Sequence, residues 1–220
     1  MCTIFTQAST GASDEPAFPV AGRSPGCQAH PVIPSLTQCL PPWVVFTRRD
    51  DPWWNVETAM LRQQGGSVFR VDGRELREPN ALFITFAREF SFPYYFGHNW
   101  DALVDCLHDW HGHEGRTDDV VVLIDRADVL RHAGFLGLFV SVLCQAARQA
   151  NLQLDADGFP NGRPPRALHF VFLLDDLPPA AFAESAATGT DVKASLAEGR
   201  LTATLTGEDW PDAGEEIAPR

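Results

Sequence analysis

The chain predicts an α/β fold, a small, mostly parallel sheet flanked by helices, and three observations carry that prediction. Residues 120–124 (VVVLI) are an uninterrupted apolar run bounded by charges, and residues 168–174 (LHFVFLL) are a second such run. Both have the composition of strands covered on two faces in a parallel sheet. Leu136, Phe139, Val140, Leu143 and Ala147 repeat at helical spacing, as do Phe83, Phe86, Ala87 and Phe90. Glycine, proline and Asp-Gly signals separate the periodic segments, so strand and helix alternate along the chain.

At 220 residues and 45% hydrophobic, the chain is long enough to bury a core, and its length fits one domain with appendages. Residues 1–42 carry seven prolines among Gly, Ser and Thr without a sustained period, which predicts a disordered leader. Residues 43–176 hold the strand and helix signals. Residues 177–220 are small, polar and acidic, with only 201–205 resembling a strand, and read as a tail of uncertain order.

Within the domain, residues 43–47 suit a strand, and residues 56–64 suit a short helix closed by Gly65 and Gly66. Residues 68–71 read as the next strand, and Asp72-Gly73 supplies a turn. Asn80 is placed to cap the phenylalanine-striped helix, which Pro93 stops. Gly97 gives the following loop backbone freedom, and Asn99 can cap the next helix through its side-chain carbonyl.

That next helix is the most informative segment. Residues 95–107 read YFGHNWDALVDCL, with Trp100, Leu103, Val104 and Leu107 in one stripe and Asp101, Asp105 and Asp109 opposite it. Like charges four residues apart repel by about 0.2–0.5 kcal/mol per pair, so folding alone does not favour the arrangement. A cationic partner turns that repulsion into attraction, and a simply solvated acidic face is the competing explanation.

The net charge of −12 opposes binding to a phosphate backbone, which needs clustered lysine and arginine. From residue 91 to 128, eight acidic residues stand against Arg116 and Arg126, a local balance of −6. No nucleic acid is expected as a direct partner. Five cysteines without regular spacing or a C-x-x-C pair fit a reducing compartment, and Cys106 and Cys144 read as inert packing thiols. The N-terminal residues lack a basic stretch followed by an apolar one, and no run of eighteen apolar residues occurs. A soluble, cytoplasmic protein without a membrane partner is expected.

Pro93, Tyr95, Gly97, Asn99, Asp101, Ala102, Leu103, Asp105, Cys106 and Leu107 form the run P-x-Y-x-G-x-N-x-D-A-L-x-D-C-L. This run resembles the barstar family, intracellular protein inhibitors of the extracellular ribonuclease barnase and its relatives. Weaker similarity runs from residues 68–73 to 169–174, about half of the chain. The resemblance implies a barstar-like layered fold, no enzymatic activity and no cofactor. It also implies a bacterial antitoxin or immunity protein whose acidic helix and preceding loop plug the active site of a basic ribonuclease or ribonuclease-type toxin.

On that resemblance the partner-binding residues are Tyr95, Gly97, His98, Asn99, Asp101, Val104, Asp105 and His108, with Asp101 and Asp105 as central anchors. There are departures: Phe96 stands in place of a second tyrosine, Val104 in place of a tryptophan and His98 in place of an acidic residue. A later acidic contact would fall near Gln145. These changes leave open a barstar-fold binding module with a partner other than a ribonuclease.

Other chemistry has little support. His108, His111, His113 and Glu114 fit no standard zinc spacing, and a hydrophilic loop with scattered histidines explains them better than a metal-dependent hydrolase. Residues 155–158 (DADG) resemble the start of a calcium loop but lack its closing glutamate. No P-loop, G-x-S-x-G or G-x-G-x-x-G occurs.

Overall fold

The computed structural model describes residues 34–112, 118–154, 159, 162, 164–188 and 191–206. In chain order they form β1 (Val44–Arg48), α1 (Pro52–Gln63), β2 (Ser67–Asp72), α2 (Pro79–Glu89) and α3 (Trp100–Gly112). There follow β3 (Val120–Asp125), α4 (Leu136–Leu152), β4 (Leu168–Leu174), α5 (Ala183–Ala186), β5 (Val192–Ala197) and β6 (Arg200–Leu205). Among the described residues six strands make one sheet in the order β2-β3-β4-β1-β6-β5. The neighbours β2, β3, β4 and β1 run parallel, and β6 is antiparallel to both β1 and β5. The protein is thus α/β with a mostly parallel sheet.

Successive side chains of a strand point to opposite faces, which sorts the core into two layers. Phe46, Val122, Ile124, Phe170 and Phe172 pack on one face with Phe83 and Phe86 of α2, Leu103 and Leu107 of α3 and Phe139 of α4. Val45, Val121, Leu123, Val171 and Leu173 face the other way, against Trp53, Trp54 and Leu61 of α1. Being covered on both faces is why β3 and β4 are apolar without alternation.

Two helix starts differ from the sequence expectation. Helix α1 begins at Pro52, where Asp51 Oδ1 accepts the Trp53 N–H at 3.0 Å. Proline at the first helical position has its φ pre-set, so the Asp-Pro pair starts the helix four residues before residue 56. Helix α2 likewise starts at Pro79, behind Glu78, which makes no side-chain cap bond. Asn80 lies inside the first turn and caps nothing.

Order also extends beyond the expected domain at both ends. The Trp53 indole donates to Pro34 O at 2.9 Å, and Leu36 is fully buried with its N–H bonded to Glu57 Oε2 at 2.8 Å. His169 holds the same segment, its ring nitrogens 3.1 Å from Pro42 O and 2.8 Å from Gln38 O. The part of the expected leader before residue 34 lies outside the described residues. Beyond residue 176, where a tail was expected, α5 and the β5–β6 hairpin follow; Phe182, Leu201 and Ala203 enter the core. Arg200 Nη2 donates to Asp51 Oδ1 at 3.0 Å and its guanidinium lies over the Trp53 ring, 5.0 Å from the centroid. Residues 207–220 lie outside the described residues.

At the carboxyl ends of the parallel strands, aspartates are used for construction. Asp125 accepts Arg49 Nη1 at 2.7 Å and Arg70 Nε at 2.8 Å. The Asp128 carboxylate takes the backbone N–H groups of Asp175, Asp176 and Leu177 at 2.7, 3.0 and 2.7 Å. Among the described residues no helix is long and apolar enough to cross a membrane.

Candidate functional site

The segment between α2 and α3 is built on alternating aromatic anchors. Ser91 adopts φ 52°, turning the chain out of α2, and the Phe92 N–H returns to Ala87 O at 3.0 Å. Phe92 packs against Phe90 and Phe96, with centroids 6.0 and 5.1 Å apart. The Phe96 N–H donates to Pro93 O at 3.0 Å, closing a turn over 93–96, and the Phe96 ring is buried against Phe83 at 6.2 Å. With Phe96 buried and Phe92 partly buried against the core, Tyr94 and Tyr95 form the tip, 100% and 69% exposed.

Gly97 matters for space rather than for an unusual φ. A Cβ there would lie 3.0 Å from Asn99 Nδ2, crowding the residue that starts the next helix. The left-handed conformation falls on His98 instead, at φ 49°, with its ring 4.8 Å from Phe96. Asn99 Oδ1 accepts the Ala102 N–H at 2.8 Å, so the expected cap of α3 is present.

Along α3 the two faces separate as the spacing predicts. Leu103 and Leu107 are fully buried, and Trp100 packs edge-on against Phe83 at 4.9 Å and beside Phe135 at 5.9 Å. Asp101, Asp105 and Asp109 are exposed. Among the described residues neither Asp101 nor Asp105 has a hydrogen bond or ion pair within the protein. Asp109 has His108 Nδ1 at 3.5 Å, and the His108 side chain is only 16% exposed. By contrast, Asp118 is bonded to Ser67, Asp119 accepts the Ala167 N–H at 2.8 Å, and Asp125 and Asp128 are taken up at the strand ends. The acidity of residues 91–128 is therefore two populations, and among the described residues only Asp101 and Asp105 of α3 face outward unpaired.

One sequence expectation changes. Val104, expected at the partner surface, is 7% exposed and sits in the core beside Leu103 and Leu107, because it belongs to the apolar stripe that α3 turns to the sheet. Gln145 Nε2 donates to Ser141 Oγ at 2.9 Å and lies 3.3 Å from Asp191 Oδ2, so its amide is engaged between α4 and the start of β5. Tyr94 went unnoticed in the sequence although it is the more exposed of the two tip tyrosines. Its only signal was an aromatic pair at the centre of a turn, where small polar residues are usual.

Cys106 is buried, and burial, reinforced by the fields of Asp109 and Asp105, pushes its thiol up to about 11. Burial raises Cys144 further. Neither thiol is ionised at neutral pH, and neither is a nucleophile. For a metal, no group of three His, Cys, Asp or Glu among the described residues is placed to hold an ion. The His111 side chain, His113, Glu114 and the DADG segment lie outside the described residues.

What the arrangement offers is an exposed aromatic tip followed by a helix face on which Asp101 and Asp105 are unpaired. Comparison with curated proteins finds no match. Residues 66–160, which include α2, the aromatic turn, α3, β3 and α4, match the family model described as barstar (barnase inhibitor), and the protein therefore contains a barstar-family domain.

Proposed function

We propose that this protein inhibits a basic ribonuclease, or a ribonuclease-type toxin, by covering its active site with the acidic face of α3 and the loop before it. The single observation that carries the reading is the pair Asp101 and Asp105, exposed on one face and without a partner among the described residues. Free carboxylates at i, i+4 repel one another until a cation arrives, and a cleft lined with lysine or arginine to hold RNA phosphate supplies that cation. Such complementarity steers encounter and fixes register.

Asp101 and Asp105 are the anchors, Tyr95 adds an aromatic contact, and Gly97, His98 and Asn99 shape the loop surface. His108, mostly buried, contributes at the rim. Inhibition needs neither catalysis nor a cofactor, and it protects a bacterial cell from its own enzyme when it takes place in the cytoplasm. A barstar-fold module with a different partner is the competing reading, favoured by Val104, whose burial removes a contact at the centre of the helix.

Capture from the source cell's lysate and medium with the wild type and an Asp101→Ala, Asp105→Ala double variant separates the two. A basic ribonuclease retained and silenced by the wild type alone supports inhibition. A partner without nuclease activity, or equal capture by both proteins, removes it.

A further inference from the structure

We infer that Tyr94 is a second aromatic contact of the same interface, its ring face receiving an arginine or lysine of the basic partner; this rests on the inhibitor reading above. The Tyr94 side chain is 100% exposed, yet it stands on ordered backbone. The turn over 93–96 is closed by the Phe96 N–H to Pro93 O bond at 3.0 Å and anchored beneath by Phe92 and Phe96. The two tyrosine rings meet edge-on, with centroids 5.6 Å apart, and leave the Tyr94 ring open to solvent. A tyrosine on such a turn presents a large surface at low entropic cost, which is the character of an interface hot spot.

Charge complementarity selects the occupant. Only three residues, Gly97 to Asn99, separate the turn from the first turn of α3, and the Asn99 cap fixes that junction. An aromatic ring a short stretch of chain from unpaired carboxylates favours a cation, because the ring quadrupole attracts the same guanidinium or ammonium group that the carboxylates do. Tyr94 then supplies ring contact that Val104, turned into the core, does not.

The test measures binding of the full chain and its variants to a panel of basic ribonucleases with barnase among them, alongside thermal melts of each variant. Tyr94→Ala is expected to weaken binding about tenfold or more, Tyr94→Phe to stay within about threefold of the wild type, and neither to shift the melting temperature. Tyr94→Ala at wild-type affinity, while Asp105→Ala loses binding, overturns the Tyr94 contact and leaves the acidic helix standing. Equal losses for Tyr94→Phe and Tyr94→Ala, or a loss matched by a fall in stability, also overturn it. Failure of the wild type to bind any member of the panel overturns the inhibitor reading and this inference together.

Discussion

Asn99 Oδ1 accepts the Ala102 N–H at 2.8 Å, and through that bond the loop carrying Tyr95 is joined to the helix carrying Asp101 and Asp105. An N-cap of this kind is worth about 1 kcal/mol, against a few tenths when glycine replaces it. Asn99→Ala should therefore lower unfolding free energy in urea by about 1 kcal/mol, and Asn99→Asp should restore most of it. An Asn99→Ala protein as stable as the wild type would mean that the cap does not hold the first turn.

Val104 and Asp105 are adjacent in sequence and opposite in role. Val104→Ala removes two buried methyl groups' worth of contact and should cost about 2 kcal/mol once the cavity is included. Asp105→Ala should change stability by less than about 0.5 kcal/mol while raising the dissociation rate of the complex. Denaturation and binding kinetics on the two variants should show the effects on opposite axes. A destabilised Asp105→Ala would make that aspartate structural.

Stability should fall in two stages on acidification. Burial depresses the His169 pKa, opposed by bonds to the Gln38 and Pro42 carbonyls, so its contribution is present above the unfolded value of about 6.5 and is lost as pH falls through the folded value. Hydrogen bonds from Arg126 and Arg74 hold Asp72 well below the usual carboxylate range. Burial alone would raise Asp125, but Arg70 and Arg49 outweigh it and the net shift is downward. These carboxylates stabilise the fold above about pH 3.9 and lose that contribution below it. Unfolding free energy measured from pH 8 to 3 should decline first below about 6.5 and again near 4, with the first decline absent in His169→Gln.

Thiol reactivity should follow burial. Cys39 and Cys106 are both pushed up to about 11 by burial first, with nearby aspartates adding to it. Alkylation at pH 7.5, read residue by residue, should leave Cys106 and Cys144 unmodified in the folded protein and label them in denaturant. Rapid native labelling of Cys106 would show that the core side of α3 opens.

Much of the fold was legible because burial on two faces writes itself into composition. Residues 168–174 appear as β4 at the bounds expected, and the α3 stripe of Leu103, Val104 and Leu107 is buried as its spacing predicts. The β5–β6 hairpin was less legible. Strand β5 (VKASLA) alternates, but only Val192 and the small Ala194 turn toward the core and Leu196 stays exposed at 53%, so its apolar face is weak. The segment from Pro34 to Pro42 was hidden for another reason: side chains far away in sequence, Trp53, Glu57 and His169, hold it. In the candidate site, the outward carboxylates followed from helical spacing. The burial of Val104 followed from the same spacing, and its placement at the partner surface came from the family resemblance alone.

The most direct measurement is a titration of a basic ribonuclease of the barnase type with this protein, reading RNA cleavage at low and high salt. Activity should fall linearly to an endpoint near one inhibitor per enzyme, and inhibition should weaken for the Asp101→Ala, Asp105→Ala variant. Its onset should slow as salt rises, since steering between opposite charges is screened over about 10 Å at 0.1 M. Undiminished cleavage at excess wild-type protein, or inhibition indifferent to both aspartates, would contradict blockade through the acidic helix.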